Sequence, residues 1–116
     1  MIHVMARILI SEPHPDVCRL FERMVQRLGH EPVVVVTVTE DEVARADALL
    51  VETAAPSSAE LAMHAARLRP GFPIVAASIS PYATLTVRPA AHLVKPFSLD
   101  ELRAALDAVL VTVAAS

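Results

Sequence analysis

Glycine is almost missing from this chain: Gly29 and Gly71 are the two in 116 residues. Loops that cradle a phosphate need several glycines within a few positions, so a P-loop and a dinucleotide-binding turn are both excluded. A single cysteine, Cys18, excludes an internal disulfide and fits a reducing compartment. There is no tryptophan and aromatics make up 3%, against a hydrophobic share of 54%, so the core must be aliphatic. No apolar run approaches the ~18 residues that span a membrane. The start, Met1-Ile2-His3-Val4-Met5, lacks the charged and apolar regions of a signal peptide, so a cytoplasmic location is expected. Basic residues are not in excess, and no cluster of them has interleaved aromatics. Ten stand against thirteen acids for a net charge of −3, which argues against a nucleic-acid surface. Lysine is scarcest of all: Lys95 is the only one, and the other basic residues are arginines. Lysine is a compact point charge on a flexible stem, where arginine is a planar fork. A chain so biased towards arginine points to a need for a point charge at position 95.

What is present reads as strands alternating with helices. Arg7-Ile8-Leu9-Ile10-Ser11 is a buried strand. Glu12-Pro13-His14-Pro15 then turns into a helix that Pro15 and Asp16 start well. Val17, Leu20, Phe21, Met24, Val25 and Leu28 recur at helical spacing, and Gly29 stops the helix. Pro32 to Val38 is β-branched and predicts a second strand. Thr39-Glu40-Asp41-Glu42 is a capping box opening a short helix. Ala48 to Val51 predicts a third strand ending at Glu52. Ser57-Ser58-Ala59-Glu60 predicts another capping box, on a helix through Leu68 that Pro70-Gly71 closes. Ile74 to Ala77 predicts a fourth strand ending at Ser78, and His92-Leu93-Val94 a fifth. Ser80 to Ala90 reads as a distorted helical turn or an irregular loop, because Pro89 biases Arg88 away from helical angles. Ser98 and Glu101 cap a last helix with Leu99, Leu102, Leu106, Val109, Leu110 and Val113 on its apolar face. The alternation implies one α/β domain over residues 1–116, a doubly wound parallel sheet covered on both faces.

In such sheets ligands bind beyond the carboxyl ends of the strands. The polar residues at those ends are Glu12, Glu52, Ser78 and Lys95: two carboxylates, a hydroxyl and an ammonium. With Pro15-Asp16-Val17, Asp47 to Glu52 followed by Pro56, Pro73-Ile74-Val75 leading to Ser78, and Lys95-Pro96-Phe97-Ser98, the chain resembles the receiver (CheY-like) domain of bacterial two-component response regulators. The resemblance covers nearly the whole chain, and Lys-Pro-Phe is its most specific part. It implies a flavodoxin-like sheet of five strands in the order 2-1-3-4-5, with the second and fourth helices shortened or irregular. It also implies roles. Glu52 stands at the phospho-acceptor position, Glu12 in the acidic pocket, Ser78 and His92 at the switch positions, and Lys95 where a lysine contacts the phosphoryl group. Mg²⁺ would fall to Glu12 and Glu52.

The departures from that pattern carry chemistry. The family places two adjacent acids after the first strand and an aspartate as acceptor; here Pro13 supplies no ligand and the acceptor position is a glutamate. Mg²⁺ demands near-octahedral oxygen ligation, so the loss at Pro13 weakens it. A glutamate is one methylene longer, which moves the acceptor oxygen by about 1 Å, and such misplacement costs on the order of 10²-fold in rate. The longer side chain reaches towards the space of an aspartyl phosphate, which predicts a direct Glu52–Lys95 pair, with Ser78 as a further hydrogen-bond donor. Function then lies in protein contacts rather than catalysis, with a histidine kinase, an output protein or a second copy as partner. Neither nucleic acid nor membrane is expected as a partner. Tyr82, Arg88, His92, Arg103 and Asp107 are the candidate contact residues. Two rivals stand beside this reading: a working phospho-acceptor using Glu52 with Mg²⁺, and a flavodoxin-like module binding a small molecule. His14 reads as an exposed loop residue, although with Glu12 and Glu52 it also offers a ligand set for a divalent transition metal. Cys18 reads as a buried structural thiol, and Arg19, Arg23 and Arg27 as a solvated helix stripe.

Overall fold

Alternation along the strands decides where each side chain goes. The computed structural model describes residues 5–79 and 88–115, with side chains up to residue 110. Its elements are β1 (Arg7–Ser11), α1 (Pro15–Arg27), β2 (Glu31–Val34), α2 (Glu40–Arg45), β3 (Ala48–Glu52), α3 (Pro56–Leu68), β4 (Ile74–Ser78), β5 (Ala91–Val94) and α4 (Leu99–Ala115). Ile8 and Ile10 of β1, Leu50 of β3 and Val75 and Ala77 of β4 pack on one face with Phe21 and Val25 of α1 and Leu102 and Leu106 of α4. Leu9, Leu49, Val51 and Ile74 pack on the other with Val43 of α2 and Leu61, Ala62 and Ala65 of α3. Burial on both faces is why these strands read as continuous apolar runs.

The strands are all parallel and stand in the order β2-β1-β3-β4-β5. The chain moves outward from β1 in both directions, so the carboxyl ends of β1 and β3 flank the point where the winding reverses. In open α/β sheets that crevice is where ligands sit.

Helix ends follow the capping chemistry in two cases and depart from it in one. Thr39 and Glu42 exchange backbone and side-chain hydrogen bonds at the start of α2 (3.0 and 3.2 Å), and Ser98 and Glu101 do the same before α4 (3.0 and 3.1 Å). The box expected at Ser57 to Glu60 does not form. Pro56 opens α3 instead, behind Ala55 with no side-chain cap, since proline has a preset φ and needs no N–H partner. Ser58 turns inward, where its hydroxyl lies 2.8 Å from that of Ser11 at the end of β1. At the far end of α2, Arg69 donates to the carbonyls of Val43 and Ala46 (3.3 and 2.9 Å), holding that six-residue helix against α3.

β2 is shorter than its β-branched run. It ends at Val34, one residue before the Val35 N–H reaches the Ile10 carbonyl (2.9 Å). Its one neighbour, β1, turns away at Glu12-Pro13, so Val36 to Val38 have no strand to pair with. Gly29 and Gly71 carry the positive φ angles, +87° and +83°, that close α1 and lead into β4. The shortened second helix is found, whereas the segment expected to hold the fourth, with Tyr82, lies outside the described residues apart from 88–90. Among the described residues no helix is long and apolar enough to cross a membrane.

Candidate functional site

Four residues named from the sequence meet at the carboxyl end of the sheet. Glu12 follows β1 directly, Glu52 is the last residue of β3, Ser78 ends β4 and Lys95 follows β5. The Lys95 ammonium forms ion pairs with both Glu12 Oε1 and Glu52 Oε2. All three groups are largely out of water: the side chains are 2%, 9% and 16% exposed for Glu12, Glu52 and Lys95. Ser78 is fully buried, and its carbonyl accepts the Lys95 backbone N–H at 2.8 Å, which fixes where the lysine leaves the strand. The next peptide bond, Lys95-Pro96, is cis.

The two carboxylates are anchored alike. Glu12 Oε2 accepts the backbone N–H of His14 (3.0 Å), and Glu52 Oε1 accepts that of Ala54 (2.7 Å). Each glutamate therefore folds back on its own loop with one oxygen and meets Lys95 with the other. This satisfies buried charge from two sides, as buried carboxylates require. It also confirms the expected Glu52–Lys95 pair and adds Glu12 to it.

Burial alone would lower the Lys95 pKa. Hydrogen bonds to Glu12 and Glu52, and their charges, outweigh burial and hold it above the ordinary lysine value. Cys18, one turn into α1, is pushed the opposite way for a thiol nucleophile: burial, then the charges of Glu22 and Glu12, raise its pKa, which disfavours the thiolate.

The donor set is short for Mg²⁺: Pro13 offers no side-chain oxygen, and each oxygen of Glu12 and Glu52 already accepts from a backbone N–H or the lysine. A transition-metal set around His14 is not assembled either. His14 is exposed, and among the described residues no three His, Cys, Asp or Glu side chains stand close enough together to hold a metal ion.

His92 lies on β5 with its side chain exposed. Arg88, Arg103 and Asp107 are exposed as expected, and Arg19 pairs with Asp16 on the surface of α1.

Sequence reading missed three groups. Phe21 puts the face of its ring 5.5 Å from the Lys95 ammonium and lies 5.2 Å from the ring of Phe97. Its helical spacing marked it for the core, yet the scarcity of aromatics was a signal: two of the three phenylalanines in the chain meet beside its only lysine. Ser58 was read only as an inner position of the Ser57–Glu60 box. Thr53, next to Glu52, is 6% exposed and its hydroxyl is buried with no hydrogen-bond partner among the described residues. An unpaired buried hydroxyl carries a desolvation cost of about 1–3 kcal/mol. Thr53→Val keeps the shape and removes that cost, so it is expected to raise stability by about 1 kcal/mol in urea unfolding. A fall would mean that the hydroxyl has a partner.

No protein-family model and no curated protein matches the chain. Solved structures do. The receiver domain of a sensor histidine kinase from Pseudomonas aeruginosa, with a magnesium ion in its active-site cleft, superposes with a TM-score of 0.74. It is 22% identical, over 92% of this chain and 98% of that one. The response regulator TrrA from Thermotoga maritima, in complex with Mg²⁺ and BeF, gives 0.73 at 20% identity over 91% and 100%. The response regulator PhyR from Brucella abortus gives 0.75 at 22% identity over 97% of this chain but 50% of that one. The chain has the receiver fold of response regulators, and it matches that fold both as a nearly complete chain and as half of a longer one.

Proposed function

We propose that this chain is a receiver-like signalling domain whose pocket is held in one state by its own side chains. In this reading it works through protein contacts, without phosphorylation and without catalysing a reaction. The observation that carries the reading is the double pairing of Lys95 with Glu12 and Glu52. A phospho-acceptor must present a carboxylate oxygen in line with the phosphorus atom, beside a cation available to the transferring oxygens. Both oxygens of Glu52 are engaged, and so is the cation. The extra methylene of the glutamate carries its carboxylate towards the space where the resemblance implies a phosphoryl group. The lysine thus meets an anion permanently, where a switching domain would meet one on demand. The partner is a protein of a phosphorelay, a histidine kinase or an output protein, or a second copy of the chain.

Amide NMR of the whole chain, titrated with Mg²⁺ and then with beryllofluoride, tests this. The expected result is a spectrum unchanged around Glu12, Glu52, Ser78 and Lys95 at millimolar ligand. Shifts clustered on those four residues would restore phosphorylation on Glu52 as the mode of action.

A further inference from the structure

A lysine ammonium has three N–H donors. The Lys95 ammonium pairs with Glu12 and Glu52 and stands over the ring of Phe21, 5.5 Å from its centroid. A cation within about 6 Å of a ring centroid is attracted by the negative face of the π system, and more strongly where water is excluded. Phe21 is 2% exposed and the Lys95 side chain 16%, and both line an apolar groove of about 290 Å³ together with Val17, Leu20, Met24 and Phe97. Phe97 sits two residues past the lysine and tilts against Phe21 at 33°, so the turn that delivers the ammonium also supports the ring that receives it.

We propose that Phe21 is a positioning residue, whose ring face holds the Lys95 ammonium and aims it at both carboxylates. This rests on the reading of the pocket as self-filled and says which residue holds its cation. The charged groups facing the ammonium are Glu12 from the end of β1 and Glu52 from β3. From α1 it meets only the neutral ring. An aliphatic residue at position 21 would fill the same space and attract nothing.

Electronics and bulk are separated by a series at position 21: phenylalanine, 4-fluoro-, 3,5-difluoro- and 3,4,5-trifluorophenylalanine, which drains the ring face step by step at nearly constant size. Each is made in the native background and in Glu12→Gln/Glu52→Gln/Lys95→Met, where no charge is left to attract. In the native background Tm is expected to fall progressively, by roughly 4–8 °C across the series, and in the neutral background to stay level. Equal slopes in both, or none in the native background, would reduce Phe21 to packing and overturn the proposal. A second measurement needs no neutral background. Solvent exchange of the Lys95 ammonium protons is expected to speed up roughly two- to fivefold across the series, and an unchanged rate overturns the proposal equally. Beryllofluoride binding by the native chain would sink the self-filled reading while leaving the fluorine slope intact, so the two failures are told apart.

Discussion

Lys95→Met is expected to lower the stability of the domain by about 3 kcal/mol or more, a drop in Tm of roughly 10–20 °C. The reason is what the substitution leaves behind. Glu12 and Glu52 would be two nearly buried carboxylates, close together, with no cation between them. Removing one partner of a buried ion pair strands the other charge, which costs far more than the pair itself contributes. The same reasoning orders the other variants. Glu52→Gln leaves the Glu12–Lys95 pair intact and relieves repulsion between the carboxylates, so it is expected to cost clearly less than Lys95→Met. The triple variant Glu12→Gln/Glu52→Gln/Lys95→Met removes every charge while both side chains still accept from the N–H groups of His14 and Ala54. It is expected to lie within about 1 kcal/mol of the native chain. Urea unfolding of the three variants checks the order, and a Lys95→Met variant as stable as the native chain would mean that the cluster is solvated.

The pH dependence has one sign. The folded Lys95 pKa lies above its ordinary value of 10.5, which the unfolded chain retains. The contribution of the ammonium to stability is therefore full below pH 10.5 and is lost as the pH rises through the higher folded value. The native chain should show a steeper alkaline fall in Tm than the Lys95→Met chain, in which the raised Cys18 pKa is left to act.

Much of this was legible in the sequence because binary pattern and strand ends carry it. The order of apolar runs and capping residues named every described element, and Glu12, Glu52, Ser78 and Lys95 were placed together because a parallel sheet brings its carboxyl ends to one side. The missed features depend on side-chain direction in three dimensions. Ser58 has the local chemistry of a cap, but Pro56 had already started the helix, leaving its hydroxyl free for Ser11 across 47 positions of sequence. Phe21 fits the helical period equally well as core or as a lysine's neighbour. The extent of β2 was set by where β1 turns away at Pro13, a limit that its own β-branched run does not contain.

Glu52→Asp together with Pro13→Asp is expected to convert an unresponsive pocket into one that answers Mg²⁺ and beryllofluoride. Shortening residue 52 by one methylene withdraws its carboxylate by about 1 Å, enough to change rates on the order of 10²-fold. It also loosens the grip on Lys95, returning a donor to the pocket. An aspartate at position 13 adds the oxygen ligand that proline lacks, beside Glu12 at the end of β1. Neither change alone is sufficient: Glu52→Asp frees the lysine but leaves a cation site short of a ligand, and Pro13→Asp adds the ligand while Glu52 still occupies the space. The double variant should therefore show amide shifts around residues 12, 52, 78 and 95 with Mg²⁺ and beryllofluoride. It should also gain an acid-labile mass increase with a small-molecule phosphodonor, at least about 10²-fold faster than the native chain. If both single variants respond as fully as the double, the pocket was never closed by Glu52. If the double stays silent, the closure lies elsewhere than in these two side chains, and the pairing of Lys95 with Glu52 is a structural ion pair rather than a substitute for the phosphoryl group.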